Sequence, residues 1–201
     1  RRHRNKTTTR RRRSLAEPDP RAARKPGAAV TVFFTADHHF GQGAARGLFR
    51  RPFADREAMD AAMIERWNAV VHPDDTVWHL GDLAIRFDRP RVEALLARLA
   101  GTKHLIAGNN DPEATRAAAG WASVGDFAEI EVDGTRLVLC HYALRVWNGQ
   151  GKGAWNLHGH SHGRLRPLTR QADVGVDAWD YRPVTLDEIK AARRKRRDGR
   201  R

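Results

Sequence analysis

Residues 30–41, VTVFFTADHHFG, decide the fold of this sequence. The part up to Ala36 is a short apolar, β-rich run, as expected for a strand that is buried on both faces. Asp37 and His39 follow at once, and both side chains are common metal ligands. The stretch therefore predicts a central strand of an α/β sheet that ends in polar side chains able to bind a metal ion.

The same arrangement recurs further along the chain. Residues 76–80, 103–107 and 135–140 read as strands, and they lead into Asp82, Asn109 and His141. Predicted helices at residues 54–71, 90–100 and 112–119 follow the first three strands, a hairpin spans 128–140, and a strand at 173–176 and a helix at 186–192 close the chain. This alternation indicates an α/β fold. Because ligands gather at the carboxyl ends of strands in open α/β sheets, we expect these polar groups to meet.

Residues 157–164, LHGHSHGR, add histidines at every second position, which lie on one side of an extended chain. The strand-end groups able to bind metal are then Asp37, His39, Asp82, Asn109, His141, His160 and His162. A mixed nitrogen and oxygen set suits Mn, Fe, Zn or Ni better than Ca or Mg. The set is larger than one ion needs, so two ions sharing a carboxylate account for it better. Such pairs, about 3.5–4 Å apart, suit displacement at phosphorus.

The formal net charge of +13 is concentrated at the two ends of the chain. Residues 1–27 carry +9 and residues 190–201 carry +7, which leaves −3 for residues 28–189. Blocks of like charge without apolar residues cannot bury enough surface to offset chain entropy. We therefore expect disordered basic tails at 1–27 and 190–201 around one domain at 28–189. The tails indicate either weak, salt-dependent contact with nucleic acid or another polyanion, or solvated extensions.

Cysteine usage and hydropathy indicate the environment of the protein. Cys140 is the only cysteine, which excludes an internal disulfide and favours a reducing, cytoplasmic location. No apolar run approaches the roughly 18 residues that a membrane span needs, so we expect no membrane insertion.

The motifs occur in an order that resembles the calcineurin-like metallophosphoesterases. They are Asp-x-His at 37–39, Gly-Asp at 81–82, Gly-Asn-x-Asp at 108–111, His141 and Gly-His-x-His at 159–162. Stretches between them, such as WNAVVHPDDTVWHLGD and DVGVDAWDYRPV, look like the small bacterial members, and the likeness spans about residues 30–188. The resemblance implies a four-layered αββα sandwich, with two mixed β-sheets flanked by helices and the site at the strand carboxyl ends.

The resemblance also implies two divalent ions and a role for each ligand. It assigns Asp37, His39 and His162 to one ion and Asn109, His141 and His160 to the other, with Asp82 as the bridge. It implies a phosphoric ester hydrolase that acts on a phosphomonoester or phosphodiester by attack of a metal-bridging hydroxide, because two cations lower the pKa of bound water. The alternative is a metal-binding but catalytically weak homologue that binds nucleic acid or another partner through its basic tails.

Two positions depart from the family pattern. The third motif of the family carries histidine where this chain has Asn110, and Gln42 stands where the small bacterial members usually carry histidine. Asparagine cannot act as a general acid near neutral pH, so we expect weakened turnover of alkyl phosphoesters. His158 is then a candidate substitute proton donor, or else a residue that only supports the site.

Two arginines are candidates for contact with the substrate. A planar guanidinium suits a phosphate group, and Arg145 and Arg164 flank the predicted site in sequence. The competing interpretation, which an arginine-rich chain favours, is that both are ordinary surface residues.

Overall fold

The computed structural model describes residues 29–198, so the expected tail at residues 1–27 lies outside the described residues. The strands are β1 (Val32–Thr35), β2 (Thr76–His79), β3 (Thr102–Ile106), β4 (Trp121–Gly125), β5 (Phe127–Val132), β6 (Thr135–Cys140), β7 (Trp155–His158), β8 (Gln171–Asp173) and β9 (Val184–Thr185). The helices are α1 (Ala45–Leu48), α2 (Arg56–Val70), α3 (Arg89–Arg98), α4 (Glu113–Arg116) and α5 (Leu186–Asp198), with 3₁₀ turns at Gln150–Lys152 and Val176–Ala178.

The first sheet has the strand order β4-β3-β2-β1-β9. Strands β1 to β4 are parallel, and β9 joins β1 in the antiparallel direction. Thr35 at the end of β1 lies opposite His79 at the end of β2, so these two strands end level with each other. The residues that follow them are therefore brought side by side.

Helices α2 and α3 cover the outer face of the first sheet. The Asp55 side chain accepts a hydrogen bond from the amide of Ala58 at 2.7 Å, so Asp55 is the N-cap of α2. Met59, Met63 and Trp67 of α2 are fully buried in the layer between this helix and the sheet. The helices thus seal one side of the sheet and leave its strand ends exposed to the neighbouring loops.

The second sheet has the strand order β5-β6-β7-β8, with an antiparallel β5–β6 hairpin and parallel pairing of β6, β7 and β8. Leu139 and Leu157 of this sheet pack against Phe34 and Leu80 of the first, which forms a second core between the sheets. On the opposite face, Val138 packs with Trp147 and Ala154 from the loop between β6 and β7. Two mixed sheets packed face to face with helices confirm the predicted fold class.

The elements differ from the sequence prediction in three places. Strand β4 was not predicted, and α4 is one turn rather than the expected helix over residues 112–119. Helix α5 continues to Asp198, where the charge pattern indicated a disordered tail from residue 190. Basic side chains dock its first turns onto the domain: Lys190 Nζ donates to Thr135 Oγ1 at 2.8 Å, and Arg193 Nη2 donates to the carbonyl oxygen of Leu168 at 2.8 Å. Within residues 29–198, no helix has the length and apolar character needed to cross a membrane.

Candidate metal centre

The carboxyl ends of strands from both sheets converge on one place. The structure brings together two groups of potential ligands, one made of Asp37, His39 and His162 and the other of Asp82, His141 and His160. Within each group the ligand atoms lie within 4.8 Å of one another. The first group combines the end of β1 with the segment after β7, and the second joins the ends of β2 and β6 to that same segment. The strand-end residues predicted to meet therefore do meet.

Asp82 belongs to the second group and also lies close to the first. Its Oδ2 is 3.5 Å from Nε2 of His39 in the first group and 3.7 Å from Nε2 of His141 in the second. Asn109, the seventh predicted ligand, places its Oδ1 3.1 Å from Nε2 of His141. The carboxylate of Asp82 is thus close to both groups.

Five of the seven candidate ligands have a left-handed backbone. The φ angles are 59° at Asp37, 53° at His39, 60° at Asp82, 64° at His160 and 47° at His162. Positive φ is uncommon for residues other than glycine, and such conformations cost of the order of 1–3 kcal/mol each. They persist where the surrounding structure holds the chain, and they gather at functional sites. The centre therefore depends on the backbone conformation of the strand ends as well as on their side chains.

Glycines allow the strand-end loops to approach each other closely. A Cβ at Gly108 would lie 2.3 Å from Oδ1 of Asp82, and one at Gly81, where φ is +93°, would lie 2.5 Å from the amide nitrogen of Gly108. A Cβ at Gly159 would lie 2.8 Å from Oδ2 of Asp37. The Gly in each of these motifs is required because the loop next to it occupies the space of a side chain.

Asp111 ties the loops after β2 and β3 together. Its Oδ2 accepts hydrogen bonds from the amides of Asp82 at 2.7 Å and Gly108 at 2.8 Å, and its Oδ1 accepts one from the amide of Leu83 at 2.9 Å. The last residue of the Gly-Asn-x-Asp motif thus positions Asp82 and the segment that carries Asn109.

Arg51 and Asp177 form a buried network behind the first group, and sequence reasoning missed both. Arg51 Nε and Nη2 donate to the two carboxylate oxygens of Asp177 at 2.8 Å, and its terminal nitrogens also donate to the carbonyl oxygens of Asp37 and His38 at 2.6 and 2.7 Å. Asp177 Oδ2 accepts a hydrogen bond from Nδ1 of His162 at 2.7 Å. This bond assigns the proton of His162 to Nδ1 and leaves Nε2 available as a ligand atom.

The electrostatics of the centre suit a cation. Burial, reinforced by the nearby Asp173 and Asp82, raises the pKa of Asp37 well above its usual range. Burial also lowers the pKa of His39 to about 4, so this imidazole is neutral near pH 7. Its Nε2 is buried without a hydrogen-bond partner among the described residues. A neutral imidazole nitrogen with a free lone pair beside crowded carboxylates is a donor set that a divalent ion satisfies.

Comparison with known proteins identifies the family to which the chain belongs. The profile of the calcineurin-like phosphoesterase superfamily domain matches residues 31–176, most of the chain. The chain belongs to the calcineurin-like phosphoesterase superfamily. An uncharacterized protein of Methanocaldococcus jannaschii is 29% identical to it over 166 residues, covering 79% of this chain and 88% of that protein. The Gene 66 protein of Mycobacterium phage D29 is 30% identical over 190 residues, covering 79% of this chain and 94% of the phage protein.

A solved structure supports the fold of this calcineurin-like phosphoesterase. The crystal structure of a protein of unknown function from Aquifex aeolicus matches with a TM-score of 0.66 and 22% sequence identity. The match covers 82% of this chain and 100% of the Aquifex chain. The shared feature is the fold itself, which includes the paired sheets whose strand ends form the centre.

Asn110 and His158, the two candidate catalytic residues, lie in different surroundings. Asn110 faces the centre, with Nδ2 donating to Oδ2 of Asp82 at 2.8 Å and its amide donating to Oδ1 at 2.8 Å. His158 is 0% exposed, and its Nδ1 lies 2.9 Å from the carbonyl oxygen of Gly159, to which it donates. A side chain without exposed surface cannot hand a proton to a leaving group in the cleft. The geometry therefore favours the supporting role for His158 over proton donation. Gln42 is half-buried, and its Oε1 has no hydrogen-bond partner among the described residues.

The two candidate arginines differ in their position relative to the centre. Arg164 is near the first group, because its guanidinium lies 5.6 Å from the ring of Phe49 and that ring stacks on His162. Its Nη2 donates to the carbonyl oxygen of Leu48 at 2.5 Å. Arg145 is exposed in the loop after His141, and no described contact connects it to the centre.

Aromatic residues that the sequence did not reveal line the open side of the centre. Tyr142 is 47% exposed, and its ring lies 4.8 Å from that of His160. Its hydroxyl is 3.5 Å from Oδ1 of Asn109. Tyr142 follows directly after a predicted ligand, which was the only signal that could have found it.

Proposed function

We propose that this protein is a dinuclear metal-dependent phosphoesterase that hydrolyses a phosphomonoester or a phosphodiester. The observation that carries the proposal is the pair of ligand groups with Asp82 between them, within 3.5 Å of His39 and 3.7 Å of His141. A single tetrahedral or octahedral ion does not use seven protein ligands and still keep a position open for substrate. Membership of a phosphoesterase superfamily supports the same chemistry.

The candidate ligands would divide between two ions, and the residues behind them would hold them in place. Asp37, His39 and His162 would hold one ion, and Asn109, His141 and His160 the other, with Asp82 shared. Two divalent ions, Mn, Fe, Zn or Ni by the donor set, would supply Lewis acidity and lower the pKa of water in the centre. Arg51, Asp177 and Asp111 would keep the ligands in place, since the groups behind a ligand fix its orientation.

Asn110 would supply no general-acid catalysis to the leaving group. Asn110 donates to Asp82 and has no proton to transfer near neutral pH. We therefore expect substrates whose leaving group is a weak base, such as an aryl or diphosphate group, to be hydrolysed faster than alkyl esters. Arg164 and Tyr142 lie at the edge of the centre and would contact the rest of the substrate.

Metal content and hydrolysis of an aryl phosphodiester together test the proposal. Purified protein is stripped of metal, reloaded with Mn²⁺, and assayed on bis(p-nitrophenyl) phosphate while the bound metal is counted by mass spectrometry. The parent should bind two ions per chain and turn over. Asp82→Asn should lose an ion and at least about 100-fold in rate, because even the group behind a ligand contributes about 10–100-fold.

The matched control is Asp74→Asn, which makes the same chemical change at an exposed aspartate after α2. It should keep the metal content and the rate of the parent. Stoichiometric metal binding without turnover would instead support the alternative of a catalytically weak homologue that works through its basic tails. Failure to bind any divalent ion would remove the basis of the proposal.

A further inference from the structure

A cavity lies at the end of the second sheet opposite the metal centre. It has a volume of about 460 Å³ and is lined by residues at the amino-terminal ends of β6, β7 and β8, among them Thr135, Trp155 and Arg170. The metal centre follows the carboxyl ends of the same strands. The path along β6 from Thr135 to His141 is six residues, or about 20 Å in an extended strand, so the two sites are separate.

The cavity is cationic in a domain that is otherwise mildly acidic. Four basic side chains line it, namely Arg136, Lys152, Arg170 and Lys190, against one acidic residue, Glu131. Glu131 on β5 is the cross-strand neighbour of Arg136 on β6. Lys190 Nζ donates to the hydroxyl of Thr135 at 2.8 Å, and none of the four cations pairs with a carboxylate within the part of the chain that the structure describes.

Uncompensated positive charge in a concave site attracts anions, because low-dielectric walls focus the field. Cavities that hold small molecules measure about 300–1,000 Å³ and carry a few converging polar groups. The cations come from four separate segments and face one space, which matches an anion with several charged oxygens better than a single carboxylate. Half-buried Trp155 forms part of the wall and offers an aromatic surface beside the charges.

We propose that this cavity is a binding site for a small anion with two or more phosphate groups. The anion chemistry is shared by inorganic oligophosphates and by the phosphate chain of nucleotides. Arg136, Lys152, Arg170 and Lys190 bind the phosphate oxygens, and a nucleotide places its base against Trp155. The site is independent of the hydrolytic centre and does not require it.

Calorimetric titration of the full chain with inorganic triphosphate, and separately with ATP, tests the assignment. The double variant Arg136→Gln with Lys152→Gln removes two exposed cations that make no described side-chain hydrogen bond, so the fold is left intact. It should lose at least about tenfold in affinity for triphosphate, since the loss of each charge-assisted hydrogen bond costs about tenfold or more. Tighter binding of ATP than of triphosphate, lost in Trp155→Leu, identifies the nucleotide as the ligand, whereas equal binding identifies the oligophosphate.

Two controls keep the result unambiguous. Arg91→Gln with Arg98→Gln removes the same charge from the exposed side of α3 and should leave the affinity unchanged. Asp82→Asn alters the metal centre and should also leave this binding intact. Equal losses in the α3 variant would show that only net charge matters, and loss in Asp82→Asn alone would place the anion at the metal centre. Either result, or parental affinity in the cavity variant, overturns the assignment.

Discussion

Replacing Asp177 with alanine tests how the metal centre is held in place. Both carboxylate oxygens of Asp177 accept hydrogen bonds from Arg51 at 2.8 Å, and Oδ2 also accepts one from His162 at 2.7 Å. The Arg51 side chain is 0% exposed and that of Asp177 is 7% exposed. The variant therefore leaves a buried guanidinium without its counter-ion and a candidate ligand without its hydrogen-bond acceptor.

The structure allows the size of both effects to be worked out. Removing one partner of a buried ion pair costs about 3–5 kcal/mol. Arg51 keeps its hydrogen bonds to the carbonyl oxygens of Asp37 and His38, so the loss should fall near the lower end, about 3 kcal/mol. For a domain of this size that lowers the melting temperature by about 6–12 °C. Loss of the acceptor behind His162 should weaken divalent metal binding by about 10–100-fold.

The pH dependence has a definite sign. Burial raises the pKa of Asp177, but the hydrogen bonds from His162 and Arg51 outweigh it and hold the pKa below 3.8. A depressed carboxyl pKa stabilises the fold above the unfolded value and loses that effect as pH falls through the folded value. The difference between parent and variant should therefore persist from neutral pH down to about 3.8 and shrink only below it.

Urea unfolding of the metal-free protein measures the first effect, and calorimetric titration with Zn²⁺ or Mn²⁺ measures the second. The matched control is Asp126→Ala, which breaks a second Arg–Asp pair, with Arg116, in which the Asp126 side chain is 77% exposed. An exposed pair is worth about 0–1 kcal/mol, so this variant should resemble the parent in both assays. The reasoning is refuted if Asp177→Ala is no less stable than Asp126→Ala, or if it binds metal as the parent does.

Further predictions follow from other residues of the centre. Asn110→His should raise turnover of alkyl phosphoesters towards the about 10²–10⁴-fold that a general acid contributes, while aryl esters change less; equal alkyl rates would contradict this. His158→Gln should leave the pH–rate profile unchanged, because the imidazole is 0% exposed; a lost titration limb would restore it as a proton donor. At Gly81, φ is +93° and a Cβ would lie 2.5 Å from the amide nitrogen of Gly108. Gly81→Ala should therefore lower the free energy of unfolding in denaturant titrations by at least about 1–3 kcal/mol, and a variant as stable as the parent would disprove the steric argument. Burial lowers the pKa of His39 to about 4 and of His79 to about 3, so the unfolded chain binds more protons below pH 6.5. As pH falls from 6.5 to the folded pKa, each of these histidines should lower the unfolding free energy of the metal-free protein by roughly 1.4 kcal/mol per pH unit. An unfolding free energy that does not change with pH over this range would rule this out.

The sequence predicted which residues meet because strand ends leave a local signal. A buried run such as residues 32–35 followed by Asp37 identifies both the strand and the group at its end. Parallel pairing then brings such ends together without any knowledge of distance. The family resemblance added the division into two groups. The geometry has the same first group, and it places Asp82 with His141 and His160 in the second.

The residues that the sequence did not predict act over long separations. Arg51 and Asp177 are 126 positions apart, and neither belongs to a motif whose chemistry requires the other. Strand β4 is half-exposed at the edge of its sheet and has no apolar run to mark it. Helix α5 was cut short in the prediction because a run of like charges without apolar residues offers little surface to bury, whereas Lys190 and Arg193 donate hydrogen bonds to the domain. Pair interactions of this kind exist only once the chain has folded.

The left-handed backbone divides the candidate ligands, rather than the two groups, by how freely each can be altered. Asp37, His39 and His162 all have positive φ, a conformation that Asp, Asn and His tolerate and that bulky or β-branched residues do not. His141 and Asn109 are outside that region, so a cysteine or glutamate there would change the donor atom without adding backbone strain. An engineer who wants a different metal should therefore begin with His141 and Asn109. The five candidate ligands with positive φ are restricted to a few residue types by their backbone, whichever ion they prefer.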